Sequence, residues 1–342
     1  MLEKENTSRR RRSVGLDPPA EQRLRERLGE ARYRQRVRRQ VYSNPHVFMG
    51  PKVWLAPEVF SSVRTVMTWI LRTTGHYQTG YAEAQKFRRI ENTLYFPDLP
   101  PAFEGFRILH VSDFHADFAP HIIEAFLPCL ENETYDLCVI TGDFKGECWG
   151  EPSAALREAE RYLKHFHKPI YAVMGNHDFI EQVPILESLG VHVLLNEHVA
   201  IERNGAHLYF VGIDDPHYFR THDLEQATRG IPPGVPTILL THSAEILDEV
   251  SQFNIHVILS GHTHGGQLCR SIGKPFVRRF YPHAETMYGA WRYNGIQGYT
   301  TSGVGCSVLP IRINCPPEYV IHTLKRGLPP DASGARTFSC ED

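Results

Sequence analysis

A layered α/β fold, with one mixed sheet or two packed sheets, is what this sequence predicts, and three observations predict it. From about residue 103 onward, short apolar runs of strand character alternate with helix-periodic segments. The early runs are separated by helices, which implies parallel pairing through βαβ units. The later runs follow one another directly, which implies an antiparallel part. The chain has 342 residues, 42% hydrophobic and 22% charged, enough for one large domain or two modest ones. That composition excludes a disordered chain.

In order along the chain, residues 1–20 are polar and basic, end in Pro18-Pro19 and read as a loose tail. Residues 21–42 are helix-forming and dense in arginine, and Asn44-Pro45 and Gly50-Pro51 then punctuate the chain. In 53–71 the apolar residues Val59, Phe60, Val63, Val66, Met67, Ile70 and Leu71 fall at spacings of three and four, one face of a helix. Two readings stand: a helix packed on the body, or an amphipathic helix lying in a membrane interface. Trp54, Trp69 and the flanking Arg and Lys suit the second.

Pro97, Pro100 and Pro101 end this N-terminal arm, giving an arm over 1–100, a body over 101–327 and a flexible tail over 328–342. Strands are expected at 106–112, 137–142, 169–174, 192–196, 198–203, 207–213, 237–241, 256–260, 297–302 and 318–324. Helices are expected at 120–131, 153–167, 181–189, 221–229 and 243–252. Asn204-Gly205 between two apolar runs predicts a tight hairpin.

Charge divides the chain. Residues 1–90 carry 19 Lys and Arg against 8 Asp and Glu, whereas residues 91–342 carry 18 against 31. A basic arm suggests an anionic partner, such as a lipid surface contacted through residues 1–72. The acidic body argues against nucleic acid gripped across the whole protein. No apolar run approaches the ~18–20 residues of a membrane span. Arg9–Arg12 is followed by polar residues and two prolines rather than an apolar stretch, so no export signal is expected. Seven cysteines without a Cys-x-x-Cys spacing read as reduced thiols in a cytosolic compartment.

The chemistry sits just past the C-terminal ends of the strands, where open α/β sheets gather ligands. Asp113 and His115 follow FRILHVS, Asp143 follows LCVITG, and Asn176, His177 and Asp178 follow YAVMG. His242 follows TILLT, and His262 and His264 follow VILSG. Any one of these is ordinary turn chemistry; five in succession are not. A set of nitrogen and oxygen ligands without cysteine suits two borderline-hard divalent ions such as Mn, Fe or Zn. Two ions at ~3.5–4 Å need a shared ligand, and Asp143 is the best candidate for the bridge.

Asp113-Phe-His115, Gly142-Asp143, Gly175-Asn176-His177-Asp178, His242 and Gly261-His262-Thr-His264, in this order, resemble the motifs of calcineurin-like metallophosphoesterases across roughly 103–327. GHTHGGQL (261–268), GIDDP (212–216) and the ending over 301–324 resemble bacterial members of the YaeI/YkuE type. The resemblance implies a four-layer αββα sandwich with a dimetal centre at the sheet ends. It implies Asp113, His115 and His264 on a first ion, Asn176, His242 and His262 on a second, and Asp143 between them. His177 would donate to a phosphoryl oxygen or protonate the leaving oxygen, and Asp178 would orient or charge-tune it.

The expected activity is metal-dependent hydrolysis of a phosphodiester or pyrophosphate, with Mn as the first choice of metal. The expected substrate is membrane-associated, UDP-2,3-diacylglucosamine being one concrete case, with the enzyme cytoplasmic and peripheral on the inner membrane. A soluble phosphodiesterase or phosphatase acting on nucleotides or phosphoproteins is the alternative, and a non-catalytic metal-binding scaffold the remote one. Residues 270–293, with Arg270, Lys274, Arg278, Arg279 and Arg292, read either as a loop contacting substrate or as a solvated loop.

Overall fold

The computed structural model describes residues 15–41, 61–148, 150–167, 169–271, 274–276, 284–329 and 336–338. Val59, Phe60, Trp54, the Arg9–Arg12 run, Arg278, Arg279 and Cys340 lie outside them.

The chain enters through two helices, α1 (Pro18–Leu28) and α2 (Glu30–Val41). Pro18-Pro19 does not close a tail as expected; it opens α1. Asp17 caps the helix by accepting from the Ala20 amide at 2.7 Å, and the prolines occupy first-turn positions that need no amide hydrogen. Gly29, at φ 76°, divides the expected single helix into two. Two more helices, α3 (Ser61–Thr73) and α4 (His76–Glu83), precede strand β1 (Arg88–Phe96).

The body alternates β2 (Arg107–Val111), α5 (Pro120–Phe126), β3 (Leu137–Ile140), α6 (Ser153–Tyr162), β4 (Ile170–Ala172), α7 (Gln182–Ser188) and β5 (Val191–Val193). Strands β2 to β5 pair in parallel, and β14 (Glu318–Arg326) returns antiparallel against β2. β1 pairs parallel with β14 and completes a sheet ordered β1-β14-β2-β3-β4-β5. The sheet therefore begins inside the stretch assigned to the arm, before the prolines at 97–101.

The second sheet runs through β6 (Glu197–Arg203), β7 (Ala206–Gly212), α8 (Leu224–Thr228), β8 (Thr237–Leu240), α9 (Leu247–Val250) and β9 (Val257–Ser260). A small hairpin, β10 (Cys269–Ser271) and β11 (Lys274–Pro275), leads to β12 (Gly289–Tyr293) and β13 (Ile296–Thr300). The order is β15-β12-β13-β9-β8-β7-β6, where β15 (Arg336–Phe338) comes from the expected tail. The β6–β7 turn is the expected Asn204-Gly205 hairpin, with both residues at positive φ.

Three apolar layers hold these parts together. Ile108, Val139, Tyr171, Phe210, Ile238 and Leu259 fill the space between the sheets. Leu24, Leu28, Tyr33, Phe126, Tyr162 and Leu186 pack helices onto the outer face of the first sheet. Leu224, Leu247, Val250, Trp291 and Tyr293 do the same for the second. The result is a four-layer αββα sandwich. The central parallel strands are buried on both faces, which is why they read as continuous apolar runs.

Candidate metal centre

The motifs converge at the C-terminal ends of β2, β3, β4, β8 and β9. Asp113, His115, Asp143, His262 and His264 all adopt left-handed backbone, with φ between 42° and 71°. Such conformations are strained for non-glycine residues and persist only where the surroundings enforce them. Here the surroundings are neighbouring motif loops. The Asp113 amide donates to the Gly142 carbonyl, and the His115 amide donates to that of Asp143, both at 3.0 Å. The closeness of these loops explains the motif glycines. A Cβ on Gly175 would lie 2.1 Å from Asp143 Oδ1, and one on Gly261 would lie 2.1 Å from Ser112 Oγ and 2.3 Å from Asp113 Oδ2.

The side chains form two groups that share one carboxylate. Around Asp113, His115 Nε2 and His264 Nε2 are 3.0 Å apart, and His264 Nε2 is 3.5 Å from Asp113 Oδ1. In the second group, His242 Nε2 is 3.0 Å from Asn176 Oδ1 and 3.2 Å from Asp143 Oδ2. His262 closes it, its donor atom lying within 4.8 Å of those of Asp143 and His242. Asp143 Oδ2 is also 3.5 Å from His115 Nε2, so this carboxylate touches both groups.

The donor set fits two divalent ions. His115 Nδ1 donates to the Lys145 carbonyl at 2.9 Å, and His242 Nδ1 donates to the Thr141 carbonyl at 2.7 Å. Each bond fixes the tautomer and aims the Nε2 lone pair into the cluster, as ligating histidines require. His262 and His264 are held well below their ordinary pKa, first by burial and then by neighbouring cationic groups, so both rings are neutral and able to ligate. Burial pushes the Asp143 carboxyl up, but His242, His177 and His115 together bring it well below the usual range. Burial pushes His242 down, but Asp143 outweighs it and raises the imidazole to about 10.

His177 stands beside the first group, its ring 4.8 Å from that of His115 and its Nε2 4.0 Å from Asp143 Oδ2. Nδ1 donates to the Gly146 carbonyl at 2.7 Å, and burial lowers the imidazole to about 3. Gly146 is the hydrogen-bond partner that orients its ring. The Asp178 carboxylate instead accepts from the Asp143, Gly175 and Lys145 amides at 2.8, 2.9 and 3.1 Å. It ties the loop after β3 to the loop after β4. Burial and then the nearby Asp143 raise its pKa to about 6.

Sequence reasoning missed several supporting residues. Arg312 is fully buried and donates to the carbonyls of Ser302 at 2.7 Å, Gly305 at 2.6 Å and His264 at 3.4 Å. It fastens the final loop to the His262–His264 turn. Its one signal was an arginine inside an apolar run. His217 and Glu245 were also missed; with His262 they form a further group of ligand-type side chains at the rim.

Helix α2 braces the same loops from outside. Arg36 is fully buried, 2.9 Å from Asp214, and donates to the Asp178 carbonyl at 3.2 Å. Gln40 accepts from the Ile180 amide and donates to Glu181. Gln35 donates to the carbonyls of Phe219 and Arg220. Arg27 pairs with Glu187 and Glu197, both at 2.7 Å, and Arg32 pairs with Asp223 at 2.6 Å. The acidic body is itself a partner of the basic segment 18–41.

The profile of the Calcineurin-like phosphoesterase family matches residues 106–266. YpbG of Bacillus subtilis is 32% identical over 222 residues, covering 64% of this chain and 80% of its own length. The metallophosphoesterase YkoQ of the same organism is 29% identical over 241 residues, covering 66% and 85%. A Bos taurus transmembrane protein with a metallophosphoesterase domain is 32% identical over 220 residues, 56% of this chain and 48% of that protein.

Proposed function

This chain belongs to the calcineurin-like metallophosphoesterases and is a metal-dependent phosphoric ester hydrolase, and we propose that it cleaves a phosphodiester or pyrophosphate bond in a membrane-associated substrate. Two bound divalent ions supply activated water near neutral pH and a counter-charge for the phosphoryl group. Asp113, His115 and His264 would hold one, Asn176, His242 and His262 the other, and Asp143 both; Mn suits these ligands. His177, whose Nδ1–H is given to the Gly146 carbonyl, would meet a phosphoryl oxygen through Nε2 as the imidazolium, a form that the anion beside it favours, and would stabilise charge as it develops. Lys145 and Thr141 act through their carbonyls, keeping the His115 and His242 rings in the tautomer that ligation needs, and Gly146 holds Nδ1 of His177.

One observation carries the membrane half of this reading. Helix α3 exposes Val66, Trp69 and Ile70 at 56, 66 and 47%. Segment 61–82 carries Arg64 and Arg72 and no carboxylate, a composition suited to an anionic lipid interface. Arg64 pairs at 3.3 Å with Glu147, four residues past Asp143, so the apolar helix adjoins the metal centre. A lipid-linked substrate would thus meet the membrane-facing element and the ions together. No helix among the described residues is long and apolar enough to cross a membrane, and the proposed location is peripheral, on the cytoplasmic face.

The alternative of a soluble nucleotide or phosphoprotein hydrolase draws support from segment 18–41, whose arginines pair with the body. Among the described residues of 1–72, the proposed lipid contact is therefore α3. The test is Mn-dependent hydrolysis of UDP-2,3-diacylglucosamine in detergent, with bis-p-nitrophenyl phosphate as the reference ester. Release of UMP with lipid phosphate supports the membrane substrate. Turnover of the reference ester alone removes that substrate and turns the search to soluble or other lipid esters.

A further inference from the structure

The loop over 302–315, after β13, lies against both Asp113 and His264 of the first metal group. At its start the Val304 and Gly305 amides donate to the Ser112 and Asp113 carbonyls at 3.0 and 2.9 Å. The approach is close, since a Cβ on Gly305 would lie 2.1 Å from the Phe114 carbonyl oxygen. Near its end the Ile313 amide donates to the Gln267 carbonyl at 3.0 Å, three residues past His264. Helix α4 backs the loop, its Gly80 carbonyl accepting the Arg312 amide at 2.9 Å.

Two side chains draw these stretches together. Arg312 is fully buried, and burying a cation is costly unless its donors are met. Here backbone carbonyls meet them. Nη2 donates to Gly305 at 2.6 Å and Ser302 at 2.7 Å, and Nη1 donates to Cys315 at 3.3 Å and His264 at 3.4 Å. Nη2 has two hydrogens, and its near carbonyls are better acceptors for them than His264 Nδ1 at 3.5 Å. Gln267 works from the other side. Its Nε2 donates to the Ser307, Leu309 and Ile311 carbonyls at 2.8, 3.0 and 3.1 Å, and its Oε1 accepts from the Ser307 amide at 2.9 Å. His264 and Gln267 are left-handed, at φ 51° and 52°, a conformation that only its surroundings sustain.

We propose that Arg312 and Gln267 are positioning residues that join Asp113 and His264 into the site of the first ion. This rests on the two-ion reading of the centre and assigns the loop to one ion of the two. The second group is anchored elsewhere. The Thr141 carbonyl holds His242 at 2.7 Å, and the Gly261 amide, just before His262, donates to the His242 carbonyl at 3.0 Å. The hydrogen bonds of Arg312 and Gln267 end instead on the loop itself and on the His264 turn.

The experiment titrates Mn into full-length protein by calorimetry, with thermal unfolding of the metal-free protein as the check on folding. Two one-ion backgrounds separate the sites: His242→Ala keeps the first group, and His115→Ala keeps the second. Arg312→Lys retains the charge and loses the planar fork. In the His242→Ala background it is expected to weaken Mn binding about 10- to 100-fold, as loss of a residue supporting a ligand does. In the His115→Ala background Mn affinity is expected to stay within about twofold. Gln267→Met removes the side-chain bonds to loop 307–311 and spares the guanidinium. It is expected to show the same selectivity with a smaller loss, and it decides where Arg312→Lys does not fold.

The proposal is overturned if the variants leave Mn affinity in the first-site background within about twofold. It is equally overturned if both sites weaken alike, which is what a general loosening of the fold would do. A wild-type chain that takes up one ion contradicts the two-ion reading, and the proposal falls with it. Two ions without cleavage of any phosphoester contradict the hydrolase reading alone, and the Mn affinities still decide the part played by Arg312.

Discussion

His177 and His242 show how one residue type serves two ends within a few ångströms. Burial keeps the His177 ring neutral, and Gly146 takes its Nδ1–H, leaving Nε2 as the edge that takes up a proton beside a phosphoryl anion. His177→Ala is expected to retain both ions, since no metal contact is lost, while kcat falls about 10²–10³-fold, as for removal of one aligned donor to a developing charge. Metal-replete mutant protein with wild-type turnover would contradict that role. His242, by contrast, is raised to about 10 by Asp143. Its folded pKa lies above the ordinary value of ~6.5, so its stabilising contribution is complete below that pH and lost as pH rises through about 10. Metal binding needs the neutral ring and must release this proton. Mn affinity is therefore expected to climb from pH 6.5 to 8.5, and a flat profile by calorimetry would contradict the assignment. The proposed ligands were legible because each lies just past a strand, with Asp143, Asn176 and His262 directly after a motif glycine. Arg312 and His217 were not, since Arg312's carbonyl acceptors and His217's partner Glu245 are brought together only by tertiary closure.

At the scale of elements, the central strands and the helices of the body follow the sequence pattern closely, because parallel strands buried on both faces leave long apolar runs, whereas β10, β11 and β12 lie within or at the edge of 270–293, which read as a loop. β1 escaped notice for a local reason. Its run RRIENTLYF places Asn92 where the apolar alternation would continue. Asn92 is there to meet His322 Nδ1 of β14 at 3.0 Å, a partner 230 residues away. Helix α2 was legible as a helix but not as a brace. An arginine-dense helix reads as solvated or anion-binding, and only the fold brings Asp214 and the Asp178 carbonyl to Arg36. Of the apolar face read from its spacing, helix α3 exposes Val66 and Ile70, with Trp69 beside them, and leaves Met67 and Leu71 half-buried. If that face meets lipid, Trp69→Glu with Ile70→Glu abolishes flotation with anionic vesicles and leaves hydrolysis of bis-p-nitrophenyl phosphate unchanged. Flotation equal to wild type would show that α3 is not the membrane contact.

For the molecule as a whole, the contrast between a basic N-terminal segment and an acidic body is in part an internal matter. Arg27, Arg32 and Arg36 meet Glu187, Glu197, Asp223 and Asp214 across the packed surface. Sequence charge alone could not distinguish this from attraction to an outside anion, because net charge carries no information about which surfaces touch. The fold sets all five motif loops on one edge of the two sheets, which is what turns separate turn residues into a single constellation. The most direct measurement is the number of ions per chain together with hydrolysis of bis-p-nitrophenyl phosphate before and after chelation. Two Mn ions per chain, with hydrolysis lost on chelation and restored by adding Mn back, is the expected result. Hydrolysis that survives full removal of metal, or a single ion that Asp143→Asn leaves in place at full activity, would contradict a dinuclear centre bridged by Asp143.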